Sequence, residues 1–320
     1  MKRVIALLLA AVMVFALCAC SNGGDNGETK ATSLILTTGS ETGTYFAVGG
    51  DIAQLASTKD GLSITSIAGK GSQANIEALE AGTAQLGFVQ SDVMSYAYSG
   101  TKTFDAKVEG FSTVAALYME QVQIVTMNPE IKTVADLKGK TVSVGEAGSG
   151  VYFNALDVLA AYDMTLDDIK AEKLSFTDSA DNLKDGKIDA AFIVAGAPTT
   201  AISDLSVSGQ VYLVGFDDEH IDKLVAECPY YSKNVIAKDV YGTPEDVTTV
   251  AIAAVIIARD DVPADAVKTL LSAIFDDTDS LTHAKKAEFN LEFASSITDV
   301  PYHAGAVSYF ADKGIEVAGK

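Results

Sequence analysis

The chain has 320 residues, 43 acidic against 23 basic side chains, a formal net charge of −20 and 48% hydrophobic residues. Such acidity excludes nucleic-acid binding as a main role, because holding a polyanion needs clustered cations that release its counterions. The length suffices for two lobes with separate cores, and three cysteines, two of them within the first twenty residues, exclude a disulfide scaffold.

Met1-Lys2-Arg3 supplies a positive start, and Val4–Leu17 is an apolar run too short to span a bilayer comfortably, which predicts a signal peptide over 1–19. The run ends in Leu17-Cys18-Ala19-Cys20, which resembles the bacterial lipobox. That resemblance implies cleavage before Cys20 and lipidation of Cys20, leaving an exported chain anchored by lipid to the outer face of the cell membrane. Residues 20–32 hold almost no apolar side chain and read as a flexible tether.

The folded part opens with an apolar strand, Ser33–Thr37, then the turn Thr38-Gly39-Ser40-Glu41-Thr42-Gly43-Thr44, then a helix over Tyr45–Ser57. A strand Leu62–Ile67, the turn Ala68-Gly69-Lys70-Gly71, a helix Ser72–Glu80 with Ser72 as its cap, and a strand Gln85–Val89 follow. In these turns Thr44, Tyr45, Lys70, Ser72, Gln73 and Asn75 are the candidate ligand contacts, joined by Gln90 and Ser91 at the end of the third strand. Strands are expected at Val114–Tyr118 and Val122–Met127, the second crossing between lobes.

From Thr141 the pattern repeats. Thr141–Gly145 is a strand, Glu146-Ala147-Gly148-Ser149-Gly150 a turn, and apolar spacing from Val151 predicts a helix. A strand Glu172–Phe176, a helix Asp178–Lys184 and a strand Asp189–Val194 complete a second βαβαβ unit. Gly148, Ser149, Gly150, Tyr152, Asn154, Ala195 and Gly196 are its candidate contacts. A helix start leaves backbone N–H groups without intrahelical partners and carries partial positive charge, so it holds an anion without a basic side chain. This matters here because Arg259 is the only arginine after the signal. Two such units predict two α/β lobes with the ligand outside the carboxyl ends of the strands. Lobe 1 is expected over 33–122 and 217–320, and lobe 2 over 123–216. Val211–Phe216 reads as the strand returning to lobe 1, followed by Val250–Ala258, a helix Pro263–Phe275 and a helical C-terminal part.

Catalytic, cofactor and metal motifs do not emerge. His220, His283 and His303 are scattered, no G-x-S-x-G occurs, and Gly139-Lys140-Thr141 lacks the remainder of a P-loop. Gly145–Gly150 has its glycines in the wrong order for a dinucleotide site. The pairs Asp167-Asp168, Asp217-Asp218 and Asp276-Asp277 lack calcium-loop spacing. The late Cys228 reads as a small packed residue.

Several ordered blocks closely resemble the TAXI-type substrate-binding receptors of tripartite ATP-independent periplasmic (TRAP) transporters. They are Thr38–Gly50 (TGSETGTYFAVGG), Gly71–Val93, Leu117–Val125 (LYMEQVQIV), Val134–Gly150, Leu174–Thr199, Cys228–Tyr231 (CPYY) and Pro301–Ala306 (PYHAGA). The resemblance implies a type II periplasmic-binding-protein fold, with two α/β lobes, a hinge and an interlobe cleft, and no catalysis. It implies a monomer that hands a small anionic or zwitterionic ligand, such as glutamate, glutamine or a dicarboxylate, to a membrane permease. That permease has a small and a large subunit, or their fusion, and is driven by an ion gradient. Lys70, where the family often has Gly, and Gln73 depart from the pattern. Two other readings stay open: a sensor serving a membrane histidine kinase, and an exported enzyme on the same fold.

Overall fold

The computed structural model describes residues 31–320. The expected signal peptide, Cys20 and residues 20–30 of the tether lie outside the described residues. In chain order the first unit is β1 (Thr32–Thr37), α1 (Thr44–Ala56), β2 (Leu62–Ile67), α2 (Ser72–Glu80), β3 (Leu86–Gln90) and α3 (Ser91–Ser99), followed by β4 (Phe111–Thr126). The second unit is β5 (Thr141–Ser143), α4 (Gly150–Ala161), β6 (Lys170–Glu172), α5 (Phe176–Lys184), β7 (Ala190–Ala195) and α6 (Thr200–Ser208). Then come β8 (Tyr212–Leu213), α7 (Asp218–Glu227), β9 (Ser232–Ile236), β10 (Val247–Arg259), α8 (Ala264–Phe275), α9 (Leu291–Ala294) and α10 (Ala304–Asp312).

The sheet runs β2-β1-β3-β10-β4-β7-β5-β6, with β8 on β4 and β9 on β10. Within each repeat the strands are parallel, β1 to β2 and β3, and β5 to β6 and β7. Each parallel trio joins the centre through an antiparallel strand: β3 pairs with the Ala254–Ala258 end of β10, and β7 with the Gln121–Val125 end of β4. Phe111–Gln121 of β4 pairs with Ala251–Arg259 of β10, so the two halves of the sheet are joined by two long central strands. Both are buried almost continuously because helices cover both of their faces. In the first half one core gathers Leu36, Ile52, Ile256 and Leu271, and a second gathers Ile76, Val89, Met94 and Val255. Val89 and Phe88, or Val255 and Ile256, fall in different cores because adjacent strand residues point to opposite faces. In the second half the corresponding cores hold Ile124, Val142, Leu159 and Phe192, and Ile193, Ile202 and Leu205.

Several expected bounds shift. The two strands expected at 114–118 and 122–127 are one, because Glu120 and Gln121 stay extended and buried between them. The strand expected over Glu172–Phe176 ends at Glu172, and Phe176 instead opens α5, whose cap is Ser175 accepting from the Asp178 N–H at 3.1 Å. Past residue 217, the expected start of the return to lobe 1, the chain still contributes to a core of the second half. Phe216, Ile221, Leu224, Cys228, Tyr231, Val250 and Ile252 all pack in a core of the second half, so the chain crosses back within β10 itself. The polar alternation of β9, SKNVI, is that of an edge strand with an exposed face, which hid it from a search for apolar runs. Cys228 is buried, and burial pushes its thiol up. Among the described residues no helix is long and apolar enough to cross a membrane.

Candidate functional site

The carboxyl ends of β3 and β7 meet the starts of the helices that follow β1, β2, β5 and β6 around a small cavity. From the first half it is lined by Gly39, Ser40, Gly43, Thr44, Tyr45, Lys70, Gly71, Ser72 and Gln90, and from the central strand by Glu120. Glu146, Ser149, Gly150, Val151, Ser175, Phe176, Val194 and Ala195 close it from the second half. The space is about 40 Å³, enough for about three waters or a very small organic molecule.

Four helices begin at this wall, α1 at Thr44, α2 at Ser72, α4 at Gly150 and α5 at Phe176. Only α5 has a side-chain cap; Gly43, Gly71 and Ser149, the residues before the other three, supply none. Gly43 and Gly71 have no side chain with which to do so, and Gly71 also takes φ +101°, which an L side chain resists. Ser149 could cap α4 and does not. Its Oγ is buried without a partner, and so is Gln90 Oε1. Both residues line the cavity. The orientation of the Gln90 amide follows from its neighbours. Asn154 Nδ2 donates to Asp92 Oδ2 at 3.0 Å and to the Tyr231 hydroxyl at 2.7 Å, so Asn154 Oδ1 must face Gln90 Nε2, at 2.9 Å. Gln90 Oε1 is left without a protein donor.

Contacts also close the two halves over the cavity. Thr44 Oγ1 donates to the Gly196 carbonyl at 2.8 Å, the Ala201 N–H to Thr42 O at 3.2 Å, and the Ala74 N–H to Gly148 O at 2.9 Å. Lys70 Nζ lies 3.8 Å from Glu146 Oε1 across the rim, largely solvated and so worth little.

Of the expected contacts, Thr44, Tyr45, Lys70, Ser72, Gln90, Ser149, Gly150 and Ala195 line the cavity. The others do different work. Asn75 is buried with its amide donating to Thr38 O and Phe88 O, tying α2 to β1 and β3. Asn154 orients Gln90 from behind. Gly148 and Gly196 serve through their carbonyls at the closure contacts. Ser91 lines a separate depression with Met119 and Tyr230; Gln73 pairs with Glu77 at 2.9 Å on the exposed side of α2; Tyr152 lies under Lys173, whose Nζ is 4.4 Å from the ring centre. Ser72 is not the cap of α2. It is the first helical residue, and its Oγ accepts from the Gln90 N–H at 3.0 Å.

Sequence reading missed Glu120, Glu146, Ser175 and Phe176. Glu120 is 2% exposed, and its Oε2 accepts from the Tyr45 hydroxyl at 2.8 Å. Burial pushes its carboxyl up to about 8, with the Tyr45 hydroxyl and the nearby Lys285 opposing. Its signal was a carboxylate inside a sixteen-residue strand that is buried almost throughout, a rare placement that calls for a partner.

Behind the cavity Gln90, Asn154, Asp92, Tyr231 and Asp157 form a buried polar network, which the exposed Lys102 meets from outside. Tyr231 donates to Asp157 Oδ2 at 3.3 Å, and Lys102 Nζ to Asp157 Oδ1 at 3.0 Å. Burial pushes Asp92 up to about 8, the Val93 N–H and Asn154 opposing and the Asp157 charge adding. A carboxyl whose folded-state value lies above its unfolded one near 4 favours the folded state in acid, and that advantage fades as pH rises from about 4 to about 8. Asp92 therefore contributes more stability at pH 5.5 than at pH 8, against the opposite contribution of His283 and His303, whose imidazoles burial pushes down. Asp92→Asn should lower the melting temperature at pH 5.5 and remove this contribution from its pH dependence; a calorimetric pH dependence unchanged in the variant contradicts it.

Two α/β halves joined by two long antiparallel strands, with a cavity at the strand ends between them, define the chain as a protein of the type II periplasmic-binding-protein fold. Residues 36–314 match the NMT1-like family, and the chain belongs to that family. Among solved structures it is similar to the alkanesulfonate-binding protein SsuA from Xanthomonas axonopodis pv. citri bound to MOPS. The identity is 15%, over 89% of this chain and 91% of that one, with a TM-score of 0.50. It is also similar to a substrate-binding protein of an ABC uptake transporter from Streptococcus pneumoniae with bound histidine. Here the identity is 19%, over 82% and 95%, with a TM-score of 0.50. A third is the ligand-binding component of an ABC-type import system from Staphylococcus aureus with zinc bound, at 9%, over 91% and 94%, TM-score 0.51. These likenesses share the fold and do not carry a ligand across.

Proposed function

We propose that this protein is a solute-binding receptor, without catalytic activity, that closes its two halves over one small organic acid or amino acid. The observation that carries this reading is the pair of buried, unpartnered atoms, Ser149 Oγ and Gln90 Oε1, lining a cavity ringed by three helix starts without side-chain caps. A buried polar group without a partner costs about 1–3 kcal/mol, so a protein keeps such groups where a ligand meets them. Partial positive charge at the helix starts suits a carboxylate. A ligand touching both halves shifts the open and closed populations by its differential affinity. The lobes of this motion are residues 32–122 with 254–320, and residues 123–250.

The finer reading is a TAXI-type receptor, held by lipid on Cys20 at the outer face of the cell membrane and serving a TRAP permease. What supports it is the run of ordered sequence blocks from Thr38 to Ala306. Gene neighbours encoding a TRAP permease support transport, and a histidine kinase in their place supports sensing. The cleft is tested by a thermal-shift screen of amino acids, 2-oxo acids and dicarboxylates, since a ligand of the native state raises the melting temperature by mass action. With the best ligand, Ser149→Ala and Thr44→Val are each expected to weaken binding about 5- to 100-fold, the equivalent of about 1–3 kcal/mol. Unchanged affinity in both places the ligand elsewhere.

A further inference from the structure

The cavity holds one group that the helix starts do not explain. They favour an anion, yet Glu120 brings a carboxyl to the same space from the middle of β4. It has no cation of its own. Lys285, whose charge acts on Glu120, is itself buried, with Nζ committed to Glu288 Oε1 at 2.5 Å and standing 5.8 Å from the centre of the Tyr118 ring. The other groups facing Glu120 do not neutralise it either. From α1 comes the Tyr45 hydroxyl, from β3 the Gln90 side chain, from β4 Tyr118 with its hydroxyl buried and unpartnered, and from α3, behind Gln90, the carboxyl of Asp92. Glu146 and Lys70 meet each other at the rim. A carboxyl brought into a pocket that otherwise favours negative charge complements a molecule that carries both signs.

We propose that Glu120 receives the ammonium group of the ligand, and that it selects zwitterionic α-amino acids over 2-oxo acids and dicarboxylates of the same size. The proposal rests on the cleft being the binding site. Burial pushes the Glu120 carboxyl up in the ligand-free protein, which favours its neutral form; when an ammonium arrives, the carboxylate form pairs with it and the proton of the neutral form leaves to solvent. A 2-oxo acid brings no positive charge and draws no such proton.

The test is titration calorimetry of the whole protein at pH 7, in two buffers of different ionisation enthalpy. L-alanine is compared with pyruvate, L-glutamate with 2-oxoglutarate, and the 2-oxo acids with succinate. An amino acid is expected to bind at least 10-fold tighter than its 2-oxo partner and to release up to one proton. Glu120→Gln should lose most of that preference and the proton release while leaving 2-oxo acid affinity within about 3-fold. Equal or tighter binding of 2-oxo acids or dicarboxylates overturns the proposal, as does a Glu120→Gln loss shared by both series, or binding by neither. Should Glu120→Gln fail to fold, the wild-type preference and proton count decide alone. Failure of the cleft itself reads differently: whatever ligand binds, Ser149→Ala then leaves its affinity unchanged.

Discussion

Gly150→Ala is expected to abolish ligand capture while leaving the protein folded. Gly150 is the first residue of α4, where alanine is the better helix former by about 1 kcal/mol. A Cβ there would lie 1.8 Å from Gln90 Oε1 and 2.7 Å from Ser72 Oγ, both on the facing half. Ser72 Oγ is fixed by the Gln90 N–H, and Gln90 Nε2 by Asn154, so neither gives way without losing a buried hydrogen bond. The added methyl therefore pushes the Gln90 amide off Asn154 or shifts the start of α4 away from the first half, at the cost of one such bond. Affinity should fall more than 100-fold, and the ligand-free melting temperature should drop by the equivalent of about 1–3 kcal/mol, the cost of one broken buried hydrogen bond. Wild-type affinity in calorimetry would contradict this.

Asn154→Ala is expected to act on stability rather than on the cavity wall. Asn154 is fully buried and makes three side-chain hydrogen bonds, accepting from Gln90 and donating to Asp92 and Tyr231. Its neighbour Phe153 packs with Ile76, Val89 and Met94 in a core of the first half, so this part of α4 stays against that half beside the central strands. Removal of the amide strands three buried groups at once. The cost should be at least about 3 kcal/mol, a fall of roughly 6–12 °C in melting temperature for a domain of this size. A calorimetric change below about 2 °C contradicts the account of the network.

The repeat and the turns were legible in the sequence because glycine, serine and threonine clusters after apolar runs have few other uses. Thr38–Thr44 and Glu146–Gly150 do lie across the cavity from each other. Asn75 and Asn154 were misread because a buried amide in a turn looks the same whether it meets a ligand or a backbone carbonyl; which one it meets depends on packing across distant strands. Glu120 escaped because its role comes from β4 passing between the halves, and the strand was read as two. Ser175 and Phe176 were lost to an alternation that imitated a strand, although the Ser175 to Asp178 spacing marks a helix start. The segment from Asp218 to Ile236 stayed dark because its one strand shows the solvent a polar edge.

The most direct measurement is a crystal structure of the protein with the strongest ligand from the thermal-shift screen. The account predicts one molecule between the halves, its acid group at the start of α4 and polar atoms against Ser149 Oγ and Gln90 Oε1. A molecule bound anywhere else, with this cavity left as it is, would contradict it.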